Sequence, residues 1–288
     1  MTRAALEAAA AAALGRGVRL ESAAAVSGGC INDCYLLDAG AARLFVKLNE
    51  PRFADAFAAE ADGLAALRAA GMRAPEPLAH GTAAGRAYLA LEALELGGDE
   101  DFAALGRALA ALHRLRGGRF GWSRDNYIGA SAQRNSRSSD WIEFWRERRL
   151  APQLRLALAN GHTQIRKPVE RLCAALPELL AGHTPVASLL HGDLWRGNVG
   201  FLAGGAPVVF DPALYRGDRE TDLAMSELFG AFPRAFYAAY EESWPLDEGY
   251  RRRKHLYNLY HLLNHLNLFG GGYLAQVRAT LGLLLRAL

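Results

Sequence analysis

The segment His191-Gly192-Asp193-Leu194-Trp195-Arg196-Gly197-Asn198 leads into the apolar run Val199 to Leu202, a turn at Ala203-Gly204-Gly205-Ala206-Pro207, and then Val208-Val209-Phe210-Asp211. Two short apolar runs around a Gly-Gly turn predict a hairpin. Asn198 lies just before its first strand and Asp211 just after its second, so the two should sit side by side at the open end. Asp193 is close enough in sequence to share that mouth. Two carboxylates and an amide oxygen converging there supply hard oxygen ligands for a divalent cation, with one carboxylate left to orient a hydroxyl. That donor set suits phosphoryl transfer. Taken singly, Asp193, Asn198 and Asp211 are also ordinary turn residues, and it is the arrangement as a whole that carries the reading.

A second set of residues lies upstream. Lys47 ends the run Arg43-Leu44-Phe45-Val46-Lys47, and the residues after it carry a stripe at Phe53, Phe57, Glu60, Leu64 and Leu67. These helical intervals put Glu60 on an apolar face, where a carboxylate needs a cationic partner because burying it alone is costly. Lys47 is the natural candidate, and such a pair would hold the ammonium toward nucleotide phosphates. A structural ion pair of Lys47 with Asp55 or Asp62 remains open. Arginine is the default cation of this chain, since only Lys47, Lys167 and Lys254 are lysines among the 33 basic residues, which draws attention to Lys47. Ser27-Gly28-Gly29-Cys30-Ile31-Asn32 joins two predicted strands, and its glycines would let backbone N–H groups approach phosphate oxygens. It lacks the G-x-G-x-x-G spacing and also reads as a hairpin turn.

These residues need elements to position them. The first third reads as a helix, strands over 21–26, 33–38 and 42–48, a helix over 53–70 and a strand over 87–91 after the Pro75 and Pro77 punctuation. Beyond residue 101 the periodicity is mostly helical: 102–115, 141–160, 165–180, 221–229, 231–242, 246–269 and 273–288, interrupted by a β island over 186–211. The fold class is therefore α+β, with a small β-rich N-terminal lobe over 1–96 and a larger, mainly helical C-terminal lobe over 97–288. The boundary falls at Gly97-Gly98-Asp99.

Composition narrows the partners. Hydrophobic content of 51% against 22% charged residues fits a globular, soluble chain with a substantial core. No uncharged apolar stretch reaches the roughly 18 residues of a membrane span. Glu7 interrupts the alanine-rich start, which reads as a surface helix and implies cytoplasmic residence. A formal charge of +3 with dispersed basic residues argues against nucleic acid; the run Arg251 to Lys254 reads as a solvated helix face. Cys30, Cys34 and Cys173 have no metal-ligand spacing, so reduced thiols are the default. In the Gly-rich loop, Cys30 could be a redox-active thiol or simply a small residue that fits the turn.

The combined stretches resemble the fructosamine kinase, or ketosamine-3-kinase, family, whose protein-kinase-like fold is shared with aminoglycoside phosphotransferases and choline kinases. They are Gly28 to Asn32, Phe45 to Asn49, Phe120 to Gly129 with Gln133 and Asn135, His191 to Asn198, Asp211-Pro212-Ala213, Arg219 to Met225, and Asn264-His265 through Tyr273. The resemblance implies a two-lobed kinase fold binding ATP and Mg²⁺ between the lobes. It implies Asp193 as the base, Asn198 and Asp211 as metal ligands, and Lys47 with Glu60 as the phosphate-positioning pair. Ser27, Gly28 and Gly29 would cover the phosphates, while Glu92, Ala93 and Leu94 would form the hinge for adenine. Trp195 and His265 would face the sugar, the histidine as a donor, and Asp222 would hold the backbone of the catalytic loop.

The implied acceptor is a ketosamine, as a small molecule or on a glycated protein amine, phosphorylated on the sugar 3-hydroxyl. The protein would be a monomer or a homodimer. The run Leu214-Tyr215-Arg216-Gly217-Asp218 departs from the family's usual residues after Asp-Pro-Ala, which bears on substrate preference. An aminoglycoside or amino-alcohol kinase, and a nucleotide-binding pseudokinase scaffold, are the alternatives.

Overall fold

The computed structural model describes residues 2–15, 17–26, 31–286 and 288. The chain folds as two compact units, Met1–Asp101 with Val199–Pro212, and Phe102–Asn198 with Ala213–Leu288.

In the first unit, α1 (Thr2–Leu14) precedes strands β1 (Ser22–Val26), β2 (Asp33–Ala39) and β3 (Ala42–Asn49). Helix α2 (Ala54–Ala69) follows, then β4 (Pro77–Ala83) and β5 (Arg86–Glu92). The sheet is antiparallel throughout, in the order β1-β2-β3-β5-β4. Alternation along β3 sends Leu44, Val46 and Leu48 into a core with Ala5, Leu6, Ala9 and Ala10 of α1. Lys47, one residue out of phase, therefore faces the other side of the sheet. Strand β4 falls where the sequence showed only punctuation: Pro77 is its first residue, where no ladder donor is needed, and a register shift follows between Pro77 and Ala79.

The hairpin of Val199–Phe201 and Pro207–Val209 belongs to this unit, with Val199 opposite Val209. Leu96 bridges Leu202, and the Gly97 N–H donates to Phe201 O at 3.0 Å. A Cβ on Gly98 would lie 1.8 Å from Leu202 O, so only glycine lets these backbones approach so closely.

The second unit starts with α3 (Phe102–His113). Its large core gathers Trp141, Phe144, Trp145, Tyr215, Tyr257, Tyr260 and many leucines. The expected helix over 141–160 is present as Trp141–Trp145 and Ala151–Ala159 joined by a π turn at Arg146–Leu150. The helix read over 165–180 is broken into Arg166–Ala174 and Leu176–Leu179, where Pro177 lacks an N–H for the ladder. The later helices are Glu220–Leu228, Arg234–Ser243, Tyr250–Phe269 and Leu274–Arg286. A three-stranded sheet places Ala187–Leu190 between Tyr215–Gly217 and Arg116–Gly117. The basic run at 251–254 is not simply a solvated face. Arg253 is buried and makes a bidentate pair with Glu220 at 2.7 Å for each bond, while Lys254 pairs with Glu227 at 2.5 Å.

Candidate active site

In the first unit, Lys47 is 4% exposed, and its Nζ donates to Glu60 Oε1 at 2.7 Å and to Asp211 Oδ1 at 2.5 Å. These are its partners, rather than Asp55 or Asp62. Burial opposes the ammonium's charge, but Asp211 and Glu60 outweigh it and hold Lys47 well above the usual lysine range. Burial pushes Glu60 up, against the pull of Lys47. Asp211 occupies the left-handed region at φ 53°, which is costly for a non-glycine residue and common at functional sites. Its side chain is half-exposed, and Oδ2 has no hydrogen-bond partner among the described residues. An anionic oxygen of this kind fits a hard cation.

Glu92 ends β5 with its carboxylate committed to Arg73, at 2.9 and 2.6 Å, and to the Glu76 N–H at 3.1 Å. The Arg73 hydrogen bonds, set against some desolvation, hold it below the usual carboxylate range. Only its backbone is left to serve a hinge, with Ala93 and Leu94 half-buried beyond it. Ser27, Gly28, Gly29 and Cys30 lie outside the described residues. Just after them, Asn49 Nδ2 donates to Ile31 O at 3.0 Å and to Asn32 Oδ1 at 2.7 Å.

In the second unit, the buried strand Ala187–Leu190 delivers the loop that carries Asp193. Gly192 has φ +86°, and a Cβ there would lie 2.0 Å from Ala213 O, so any side chain would push two backbones apart. Asp222, in the first turn of helix Glu220–Leu228, accepts from the His191 N–H at 2.7 Å and the Gly192 N–H at 2.8 Å. His113 Nε2 lies 3.1 Å from the same carboxylate, and His113 Nδ1 lies 2.8 Å from the Tyr240 hydroxyl. A carboxylate only accepts, so Nε2 carries the hydrogen. Burial works against the charge of Asp222, but the His113 hydrogen bond and the Gly192 N–H hold it below the usual range.

Asn198 closes a 3-10 turn, its N–H donating to Trp195 O at 2.9 Å. Its side-chain Nδ2 donates to Asp193 O at 2.9 Å and Asp193 Oδ2 at 3.3 Å. With the amide nitrogen so engaged, Oδ1 is the atom Asn198 can offer a cation. Asp211 in the first unit and Asn198 in the second each carry an oxygen of the kind Mg²⁺ prefers.

The opposite edge of the loop rests on Ala213 and Leu214. Asn126 Nδ2 donates to Leu214 O at 2.7 Å, and Gln133 Nε2 to Ala213 O at 3.0 Å. Asn135 donates to Asn126, and buried Arg149 donates to Asn135 Oδ1 at 2.8 Å while stacking 4.0 Å above the Tyr215 ring. Trp195 is exposed, with its ring 6.4 Å from Phe229. His265 Nδ1 lies 2.9 Å from His261 O, an acceptor, so Nδ1 carries a hydrogen. Burial lowers the pKa of His265. In the neutral ring Nε2 is then left as an acceptor.

His113, Tyr240 and Arg149 carried no assigned role in the sequence. A signal for the first was present: Leu105, Leu109 and His113 recur at intervals of four on α3, a polar residue on an apolar stripe like Glu60.

The fold is protein-kinase-like. A crystal structure from Haemophilus somnus 129PT, assigned as a fructosamine-3-kinase, superposes with a TM-score of 0.89 at 30% identity, covering 98% of this chain and 97% of that one. The family model for fructosamine kinase matches residues 2–287, and the chain belongs to that family. A Synechocystis protein assigned as a ketoamine kinase is 47% identical over 276 residues, 94% of this chain and 93% of its own. The chloroplastic protein-ribulosamine 3-kinase of Arabidopsis thaliana is 39% identical over 284 residues, 95% of this chain and 86% of its own. Among the described residues no helix is long and apolar enough to cross a membrane.

Proposed function

We propose that this protein transfers the γ-phosphoryl group of ATP to the sugar 3-hydroxyl of a ketosamine, free or on a glycated protein amine. Membership of the fructosamine kinase family supports the substrate class. The observation that carries the reaction type is the buried ammonium of Lys47 held between Glu60 and Asp211. An ammonium fixed in this way places positive charge for nucleotide phosphates without reorganisation, which favours charge development in the transition state.

The remaining roles follow from the chemistry of each group. Asp193 accepts the proton of the acceptor hydroxyl as its oxygen attacks the γ-phosphorus and ADP leaves. Asp222 fixes the backbone on which Asp193 is carried. Asp211 and Asn198 would hold Mg²⁺, which neutralises phosphate charge when bound. The backbone of Glu92, Ala93 and Leu94 would meet adenine, with residues 1–96 as the nucleotide-binding lobe and 97–288 carrying the acceptor. Phosphate on the carbon beside the keto group favours loss of a C1 proton and β-elimination of inorganic phosphate, and hydrolysis of the imine that results would release the amine. Cytoplasmic residence, as a monomer or homodimer, suits such a repair role.

The test is an acceptor panel with Mg·ATP, measuring ADP release. Fructosamine, ribulosamine and erythrulosamine conjugates should turn over far faster than free hexoses, kanamycin or choline. A preference for kanamycin or choline would overturn the acceptor while leaving a kinase, and no turnover with any acceptor would favour a scaffold.

A further inference from the structure

Trp195 belongs to an aromatic group larger than the sugar-facing pair needs. The Phe229 ring lies 4.4 Å from His265, and His265 lies 5.1 Å from Tyr273 and 5.5 Å from Phe269. Tyr273 in turn lies 6.3 Å from both Phe229 and Phe269. This cluster is not core packing of the ordinary kind. Phe269 is 52% exposed and Trp195 37%, whereas Tyr257 and Tyr260, earlier on the same helix as His265 and Phe269, are fully buried. Large aromatics left at the surface in one contiguous group mark a contact site.

We infer that Phe229, Phe269 and Tyr273 form the wall that receives the protonated amine of the acceptor and its substituent, so that they select for the amine rather than for the sugar. The inference rests on the ketosamine reading. A ketosamine nitrogen is a secondary amine, cationic near neutral pH, one carbon from the keto group. Ring faces carry the negative end of the aromatic quadrupole and attract such a cation, while their carbon edges suit an alkyl substituent. His265 completes the arrangement as an acceptor. Its Nδ1–H is spent on His261 O, which leaves the Nε2 lone pair for an ammonium N–H or a hydroxyl. The backbone supports the same reading. Gly270, with φ +87°, ends the long helix and starts the turn that carries Tyr273 back beside Phe269.

The test compares two acceptors with the same sugar, the fructosamine of an α-blocked lysine and 1-deoxyfructose, which has no amine. The readout is the ratio of their kcat/KM values for the unmodified protein and for Phe269→Leu, Phe229→Leu and Tyr273→Leu. Each variant should lower the ratio, by about three- to tenfold. Phe269 is exposed enough that its variant should fold, which protects the test if the others do not. An unchanged ratio in Phe269→Leu and in whichever other variants fold overturns the inference and leaves the ketosamine reading intact. Failure of the unmodified protein to phosphorylate the fructosamine overturns both.

Discussion

Replacing Asp222 by asparagine keeps the shape of the side chain and changes what it can accept. In the native arrangement Oδ1 takes the Gly192 N–H, and Oδ2 takes both the His191 N–H and the His113 Nε2 hydrogen. Asparagine has one carbonyl oxygen, which serves best at the Oδ2 position. Its NH₂ then faces the Gly192 N–H, donor against donor. A buried donor left unpaired costs about 1–3 kcal/mol. Turning two charge-assisted bonds into neutral ones removes roughly 0.5–1 kcal/mol each, for a total of about 2–5 kcal/mol. In a domain of this size that lowers Tm by roughly 10 °C. Thermal melts of Asp222→Asn, His113→Leu and the double variant measure it, and the two single changes should be non-additive because they share one carboxylate. A Tm within about 2 °C of the unmodified protein would refute the claim that this carboxylate clamps the loop.

The other predictions concern groups whose burial forces a definite outcome. Lys47→Met leaves Glu60 as a buried carboxylate without its ammonium and should destabilise by about 3–5 kcal/mol in urea titration. Adding Glu60→Gln should recover part of that loss while nucleotide-dependent activity stays impaired. For His261, burial pushes the imidazole down to about 3, and its Nδ1 has no hydrogen-bond partner among the described residues. The unfolded chain takes up this proton near pH 6.5 while the native state does not, so the stability contributed is complete above about pH 6.5 and lost as pH falls toward the folded value. The slope is about 1.4 kcal/mol per pH unit, and stability curves of His261→Leu between pH 6.5 and 5 should be flatter by about that amount.

Local periodicity was enough for features whose partners are near in sequence. The hairpin at 199–209 and the stripe that placed Glu60 on the buried face of α2 both follow from intervals of a few residues, and both are in the structure. Strand β4 was not legible because Pro75 and Pro77 read as punctuation, and only pairing with β5 makes the segment extended. The second partner of Lys47 was out of reach of such reasoning, since Asp211 is 164 residues away. The same holds for the polar network of Asn126, Gln133, Asn135 and Arg149. Amide side chains give no local signal, and their role is defined by the carbonyls of Ala213 and Leu214 that they hold. The direction of the His265 hydrogen bond was likewise decided by the helix it sits on, through the carbonyl of His261.

The most direct measurement is NMR of the product formed from Mg·ATP and a fructosamine, run in parallel with Asp193→Asn. The account predicts a single phosphate on the 3-hydroxyl. It also predicts that the variant loses on the order of 10² to 10⁴ in kcat while still binding nucleotide. Phosphate on a different hydroxyl, or a variant that keeps more than about a tenth of the activity, would contradict it.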